Sequence, residues 1–297
     1  MSSLHIPLLW PSELELFISS QPNVEVFISI SRAKMFPSIE NTFAALSHCS
    51  PAMSKVLILG LDPYPREESA CGIAFQDATV TSWTDTFPPS LRNIMLNLLQ
   101  HTHNFDCKSP ISVLRSFLSE INFASPQSWF NHTCAEGVLW LNTSLTFENK
   151  STYKKHADFW RPIVLFIIET IFYQKLVQLN AESPYNPGLV VVLWGKPAQK
   201  FEPIIEECRK KALQKFVDNY GLEVSEAHEK CCQVEFVKAN HPCFVPFHKV
   251  NSFDLIEKAQ DRIGQTRVNW IAIKDSIYKE AYEYSYCDKR YITQNPY

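Results

Sequence analysis

The sequence predicts an α/β protein, a single domain built on a central four-stranded, mostly parallel sheet with helices on both faces. Three observations carry that expectation. Four short, β-branched runs are bounded by turn formers, stretches with helical spacing lie between them, and no linker, repeat or low-complexity segment divides the 297 residues.

The first run, KVLILG (55–60), meets Gly60 and then LDPYP. PSLRNIMLNLLQ (89–100) repeats its apolar residues at helical intervals. GVLWLN (137–142) is the second run, and the helical ADFWRPIVLFIIETIFYQKLVQL (157–179) precedes the third, GLVVVLWG (188–195). KPAQKFEPIIEECRKKALQKFV (196–217) is again helical, and CQVEFVKAN (232–240) is a fourth, more amphipathic run. Residues 1–34 read as a helical N-terminal extension and 278–297 as a polar C-terminal tail with regularly spaced tyrosines. Residues 205–231 read as a charged helical insertion on the surface, a place where a protein partner could dock. The domain is otherwise expected to be a monomer.

Composition narrows the class. With 45% hydrophobic and 20% charged residues the chain can build a sizeable core and is not disordered. A net charge of -3 excludes a uniformly basic nucleic-acid coat but leaves room for a local basic groove. Nine cysteines, with no CxxC, point to reduced thiols in a cytoplasmic or nuclear compartment. His228, Cys231, Cys232, His241 and Cys243 cluster in sequence, yet their spacing fits no zinc ribbon or finger, so no metal is expected. The N-terminal MSSLHIPLLWPSELELF lacks the basic start of a signal peptide, and the runs IVLFII and LVVVLW are too short to cross a bilayer. The expectation is a protein that is neither secreted nor in a membrane.

The seven glycines are informative because four of them, Gly60, Gly72, Gly137 and Gly195, flank the proposed strands or the loops just after them. Gly60 is expected to turn the chain sharply off its strand, and Gly72 to bring Phe75 back over the same place. Each strand also ends in a polar group that packing would not select: Asp62, Asn142, Lys196 and His241. Singly these have bland readings, an Asx-turn, a helix cap or a turn before proline. Together they lie where open α/β sheets bind ligands, beyond the carboxyl ends of the strands. An aspartate can hold and polarise water or stabilise a developing cation. An asparagine amide reads the edge of a nucleobase, and a histidine can donate a hydrogen bond to a departing oxyanion. Tyr64 and Phe75 add a wall and a stacking face. That set suits hydrolysis of a glycosidic bond to a heterocyclic base. Phosphoryl transfer, acyl transfer and dinucleotide binding are disfavoured, since GxxxxGK(S/T), GxSxG and a strand-linked GxGxxG are all missing.

Seven stretches then resemble, in order and spacing, the family 1 uracil-DNA glycosylases. They are MFPSIENTFAAL (35–46), GLDPYP (60–65), GIAF (72–75), FPPSLRNI (87–94), GVLWLNTSLTF (137–147), VVLWGKPAQK (191–200) and HPCFVPFHKVNSF (241–253). The likeness runs over roughly residues 35 to 275. It implies a metal-independent, cofactor-free enzyme that acts on uracil in DNA, with Asp62 orienting water and stabilising the oxocarbenium-like sugar. It further implies that Leu61 contributes a backbone N–H at the base pocket, Tyr64 excludes the thymine methyl, Phe75 stacks on the flipped ring and Asn142 reads O4 and N3–H. By the same resemblance His241 bonds O2 of the leaving uracil. Val245 stands at the apolar wedge, and Pro88, Pro89, Ser90, Gly195, Lys196 and Cys243 at the contacts to the DNA backbone.

The chain departs from the family pattern at four of these positions. Leu61 replaces a glutamine and Pro65 a histidine, which gives a loop similar to the GIDPYP form of the poxvirus-type branch. Cys243 replaces a serine and Val245 a leucine, changes expected to weaken DNA grip or slow flipping rather than remove the chemistry. The alternative is a DNA-binding or replication-accessory protein on a glycosylase scaffold. Retention of Tyr64 and Asn142 favours uracil over another modified base.

Overall fold

The computed structural model describes residues 6–22, 24, 27, 35–180, 188–221 and 232–274, the side chains of Asn180, Val245 and Pro246 apart. In chain order the helices are α1 (Ser12–Ser19), α2 (Ala44–Ser47), α3 (Pro89–His103), α4 (Ile111–Glu120), α5 (Pro126–Ala135), α6 (Tyr153–Asn180), α7 (Lys196–Gln199), α8 (Glu202–Tyr220) and α9 (Ser252–Arg262). The strands are β1 (Val56–Gly60), β2 (Val138–Asn142), β3 (Leu189–Trp194) and β4 (Val234–Ala239), and they pair in the order β2-β1-β3-β4. Every pairing is parallel, so the sheet is wholly rather than mostly parallel.

Burial follows from the sequence of each strand. β1, β2 and β3 are buried at every residue, as expected for strands covered on both faces, and their side chains are almost all aliphatic or tryptophan. Of the two edge strands β2 and β4, β4 keeps polar residues outward, with Glu235 paired to Arg262 at 2.7 Å and Lys238 paired to Glu202. Charges of this kind discourage a second chain from adding to the edge.

Helix α6 is long and apolar enough to match a bilayer span by length and composition, a property that the short apolar runs within it do not reveal. Its Trp160, Ile163, Val164, Ile167, Ile168, Ile171 and Phe172 are 0–1% exposed, so it is the central helix of this core. Helix α8 lies along it, burying Ile205, Cys208, Ala212, Leu213, Phe216 and Val217. Residues 205–220 are therefore a packed layer of the fold and not a surface addition. The remainder of that segment from 222 to 231, and the tail 278–297, lie outside the described residues, as do parts of 1–34. The described part of the N-terminus is tied down: Trp10 donates its Nε1–H to the carbonyls of Leu46 and Cys49, and Phe17 stacks on Phe166 at 4.1 Å.

Candidate active site

The parallel register sets the site. Gly60, the last residue of β1, pairs directly with Asn142, the last residue of β2. A Cβ at Gly60 would overlap Asn142 Oδ1 and lie 2.9 Å from the Cβ of Ala74. The glycine is needed to leave room for the asparagine amide. It is not among the residues of positive φ, so the expected sharp turn is corrected to a clearance.

Beyond Gly60, the loop Leu61–Pro65 is fastened to the end of β2. Thr143 N–H donates to Gly60 O at 3.0 Å, Ser144 N–H to Leu61 O at 3.0 Å, and Thr143 Oγ1 to Leu61 O at 2.9 Å. Arg66 pairs with the buried carboxylate of Asp77 at 3.2 Å, which locks this loop to the segment carrying Phe75. That segment begins at Gly72, whose φ of +82° is a left-handed conformation suited to glycine, and a Cβ there would collide with Asn41 O. Phe75 itself adopts φ 65°, a strained choice for an aromatic residue. Its ring stands edge-on over Trp194 at 5.5 Å and Trp140 at 6.3 Å, tryptophans from β3 and β2, and 6.0 Å from the His241 ring. Rigid strands thus carry the stacking face.

His241 follows β4. Gly195, with φ 90°, lets the end of β3 approach it, since a Cβ there would lie 2.9 Å from that of His241. The backbone N–H of Cys243 donates to His241 Nδ1 at 3.2 Å, and the Cys243 Sγ lies 2.9 Å from the same nitrogen. A backbone N–H cannot accept, so Nδ1 carries the lone pair and the neutral ring bears its proton on Nε2. Burial lowers the imidazole pKa and keeps that form neutral.

Asp62 is half-buried, and burial pushes its carboxyl up to about 6. The Tyr64 hydroxyl lies 3.2 Å from Ser90 Oγ and 3.4 Å from Phe75 O, and burial raises its pKa to about 12, so the phenol stays protonated.

A cavity of about 800 Å³ joins these groups. Leu61, Asp62, Tyr64, Phe75, Ser90, Asn142 and His241 all line it. Pro88, Pro89, Gly195, Lys196 and Cys243 are not in its lining. Pro88 and Pro89 open α3, whose first turn carries no acidic residue, and Lys196 is exposed at the start of α7. The Val245 side chain is outside the described part of the structure.

The cavity also has a wall that the sequence reading missed: Phe147, Glu148, Asn149, Lys150 and Tyr153. It is held by paired backbone bonds of 2.7 Å between Phe36 and Phe147. The signal was available, because this loop leaves the carboxyl end of β2, where α/β sheets place their ligands. The Asp62 charge raises the Tyr153 phenol further than burial alone does. Chemically, the cavity offers an acid that ionises near neutrality, an amide with a donor and an acceptor, a neutral imidazole N–H and an aromatic face.

The uracil DNA glycosylase superfamily model matches residues 46–259, which contain the four strands and each of these groups. The chain belongs to the uracil-DNA glycosylase superfamily. Among curated relatives, the uracil-DNA glycosylase of human herpesvirus 6A is 28% identical over 265 residues, covering 88% of this chain and 86% of the relative. That of Clostridioides difficile is 27% identical over 237 residues, covering 80% and 82%. Among solved structures, the wild-type UNG of Nitratifractor salsuginis superposes with a TM-score of 0.62 at 20% identity, over 86% of this chain and 91% of that one. The mimivirus uracil-DNA glycosylase gives 0.56 at 18%, over 90% of each. These superpositions establish the superfamily fold, here with an all-parallel sheet of four strands.

Proposed function

We propose that this superfamily member is a monofunctional uracil-DNA glycosylase of family 1 type, hydrolysing the N-glycosidic bond of deoxyuridine in DNA to free uracil and an abasic site. One observation carries the reading: Asp62, Asn142 and His241, from the ends of three different strands, line one cavity roofed by Phe75 and walled by Tyr64. A flipped uracil lies under Phe75, with the Asn142 NH₂ donating to O4 and its carbonyl accepting from N3–H. Cytosine presents the opposite polarity at both atoms and is rejected. Tyr64 fills the space that a methyl on C5 would need.

As the C1′–N1 bond breaks, its electron pair moves onto the base, and the Nε2–H of neutral His241 donates to O2 where charge gathers. Ionised Asp62 faces the cationic sugar and orients the water that adds to C1′, whose proton leaves through the carboxylate to solvent. The N-terminal turn of α3, where exposed Pro89 precedes the buried Ser90, receives phosphates together with Gly195 and the exposed Lys196. The loop with Leu61 and Pro65 is of the poxvirus-type form, and the backbone N–H of Leu61 serves at the position where the family carries a glutamine.

Excision from paired oligonucleotides carrying U, T, C or no target, with EDTA present, tests this. Cleavage at U alone, lost in Asp62→Asn, is the expected result. Equal yields from both proteins, or DNA binding without excision, would instead make the chain an accessory protein on this scaffold.

A further inference from the structure

Beside the cavity mouth stands an aromatic side chain that the chemistry above does not use. Phe244 is 61% exposed, the most exposed large aromatic ring among the described residues, and it sits three residues after His241, with the two rings 6.2 Å apart. Exposed apolar residues are common and singly mean little. What distinguishes this one is its mounting.

The loop that carries it is pinned from α3. Asn93 donates from Nδ2 to Pro242 O at 2.6 Å and accepts from His248 Nε2 at 3.1 Å, gripping the loop on both sides of Phe244. Asn97 donates to Val250 O at 3.1 Å and accepts from Ser252 N–H at 2.8 Å, fixing where the loop rejoins α9. Within the loop, Phe244 N–H donates to His241 O and Phe247 N–H to Phe244 O, each at 3.0 Å. Phe247 is wholly buried on Trp194 at 5.4 Å, beneath the same tryptophan that supports Phe75. The loop therefore anchors one phenylalanine in the core and holds the other out in solvent. A floppy exposed ring loses entropy on binding, and a ring displayed on a pinned backbone loses less.

We infer that Phe244 is the wedge that enters the base stack when the target nucleotide leaves it, in place of Val245. Its ring covers the area of a base pair edge that valine cannot, and it stands next to His241, which meets the extruded base. Leu61, 37% exposed on the β1 loop, is an apolar residue of the cavity lining. The inference rests on the reading of the cavity as a base-excision pocket. Apolar wedges of this kind stabilise an unstacked step, and base–aromatic stacking tolerates any sequence.

The experiment compares Phe244→Ala, Phe244→Leu and Val245→Ala with wild type on one uracil oligonucleotide, single-stranded and paired. A 2-aminopurine beside the uracil reports flipping by fluorescence without requiring excision. Phe244→Ala should lower duplex excision about tenfold or more while changing single-strand excision little, the loss expected from one base–aromatic stack. The 2-aminopurine rise should fall with it, Phe244→Leu should recover part of both, and Val245→Ala should cost less than Phe244→Ala. Equal losses on the two substrates, no loss at all, or the whole duplex effect residing in Val245→Ala would overturn the assignment. A wild type that excises nothing but still shows the 2-aminopurine rise, abolished in Phe244→Ala, would refute the glycosylase reading and leave the wedge standing. An unchanged melting temperature confirms that the variants fold.

Discussion

The two ends of the central sheet each bury an ionisable group, and they do so with opposite consequences. At the carboxyl end Asp62 faces the cavity, and burial raises its carboxyl to about 6. At the amino end Lys175 of α6 is 1% exposed beside Cys49, Cys232 and Lys55, and burial brings its ammonium down to about 8. The cause is the same, since taking either charge out of water disfavours it. Access is what differs. Asp62 opens onto the cavity, whereas Lys175 is closed in by the core. A perturbed pKa therefore marks a functional site only where the group can reach a ligand.

The comparison breaks first at Asp62. Asp62→Asn should lower uracil excision about 10³-fold, within the range for loss of one positioned acid–base group. In the wild type, the logarithm of kcat/KM should rise with pH and level off above about 6, because only the ionised carboxylate works. The stability effect has the opposite sign. Between about pH 4 and 6 the folded protein holds a proton that the unfolded chain has released, so stability falls as pH rises through that window. Asp62→Asn removes this fall and should raise the melting temperature at pH 7.5 but not at pH below 4. A variant that loses activity without this pH-dependent gain would mean that Asp62 is not strained by burial.

Gly60→Ala tests geometry at the same end without altering any charge. The added Cβ would occupy the position of Asn142 Oδ1, so the amide must move. Displacement of a reading group by about 1 Å can cost about 10²-fold, and discrimination between uracil and cytosine should fall along with the rate. A pure loss of rate with selectivity intact would show that Asn142 keeps its place and that the loop moves instead.

Much of this was legible in the sequence. Four runs became four strands because β-branched and aliphatic residues that fill buried parallel strands leave a strong pattern, and Asp62, Asn142 and His241 stood out as polar residues ending them. Helices α2, α4, α5 and α9 were not foreseen. Helix α2 is a single turn, α4 buries only Leu114 and Leu118, and the starts of α5 and α9 are local signals, Ser125 capping Ser128 N–H and Asn251 capping Phe253 N–H and Asp254 N–H. Residues 205–220 misled because charged residues on the outer face of α8 hide a buried stripe from Ile205 to Val217. The reason for Gly60 was equally invisible, since it depends on which residue of β2 lies across the ladder. Sequence pattern reports what a residue is next to along the chain. Register and tilt decide what it meets in space.

Lys175→Met sharpens the comparison from the other end and should have the smallest effect on excision. Methionine fills a similar volume without a charge, and Lys175 is far along α6 from Tyr153, where that helix borders the cavity. In the wild type, the ammonium is buried and charged below about pH 8, and the unfolded chain keeps its proton to about pH 10. Between those values the unfolded state binds more protons, so wild-type stability should rise with pH. Lys175→Met should flatten that rise and raise the melting temperature at pH 7, with kcat/KM for uracil excision unchanged. If instead the variant lost activity while its stability profile stayed that of wild type, the amino end of the sheet would be part of the catalytic apparatus, and access to the cavity would not be what separates Asp62 from Lys175.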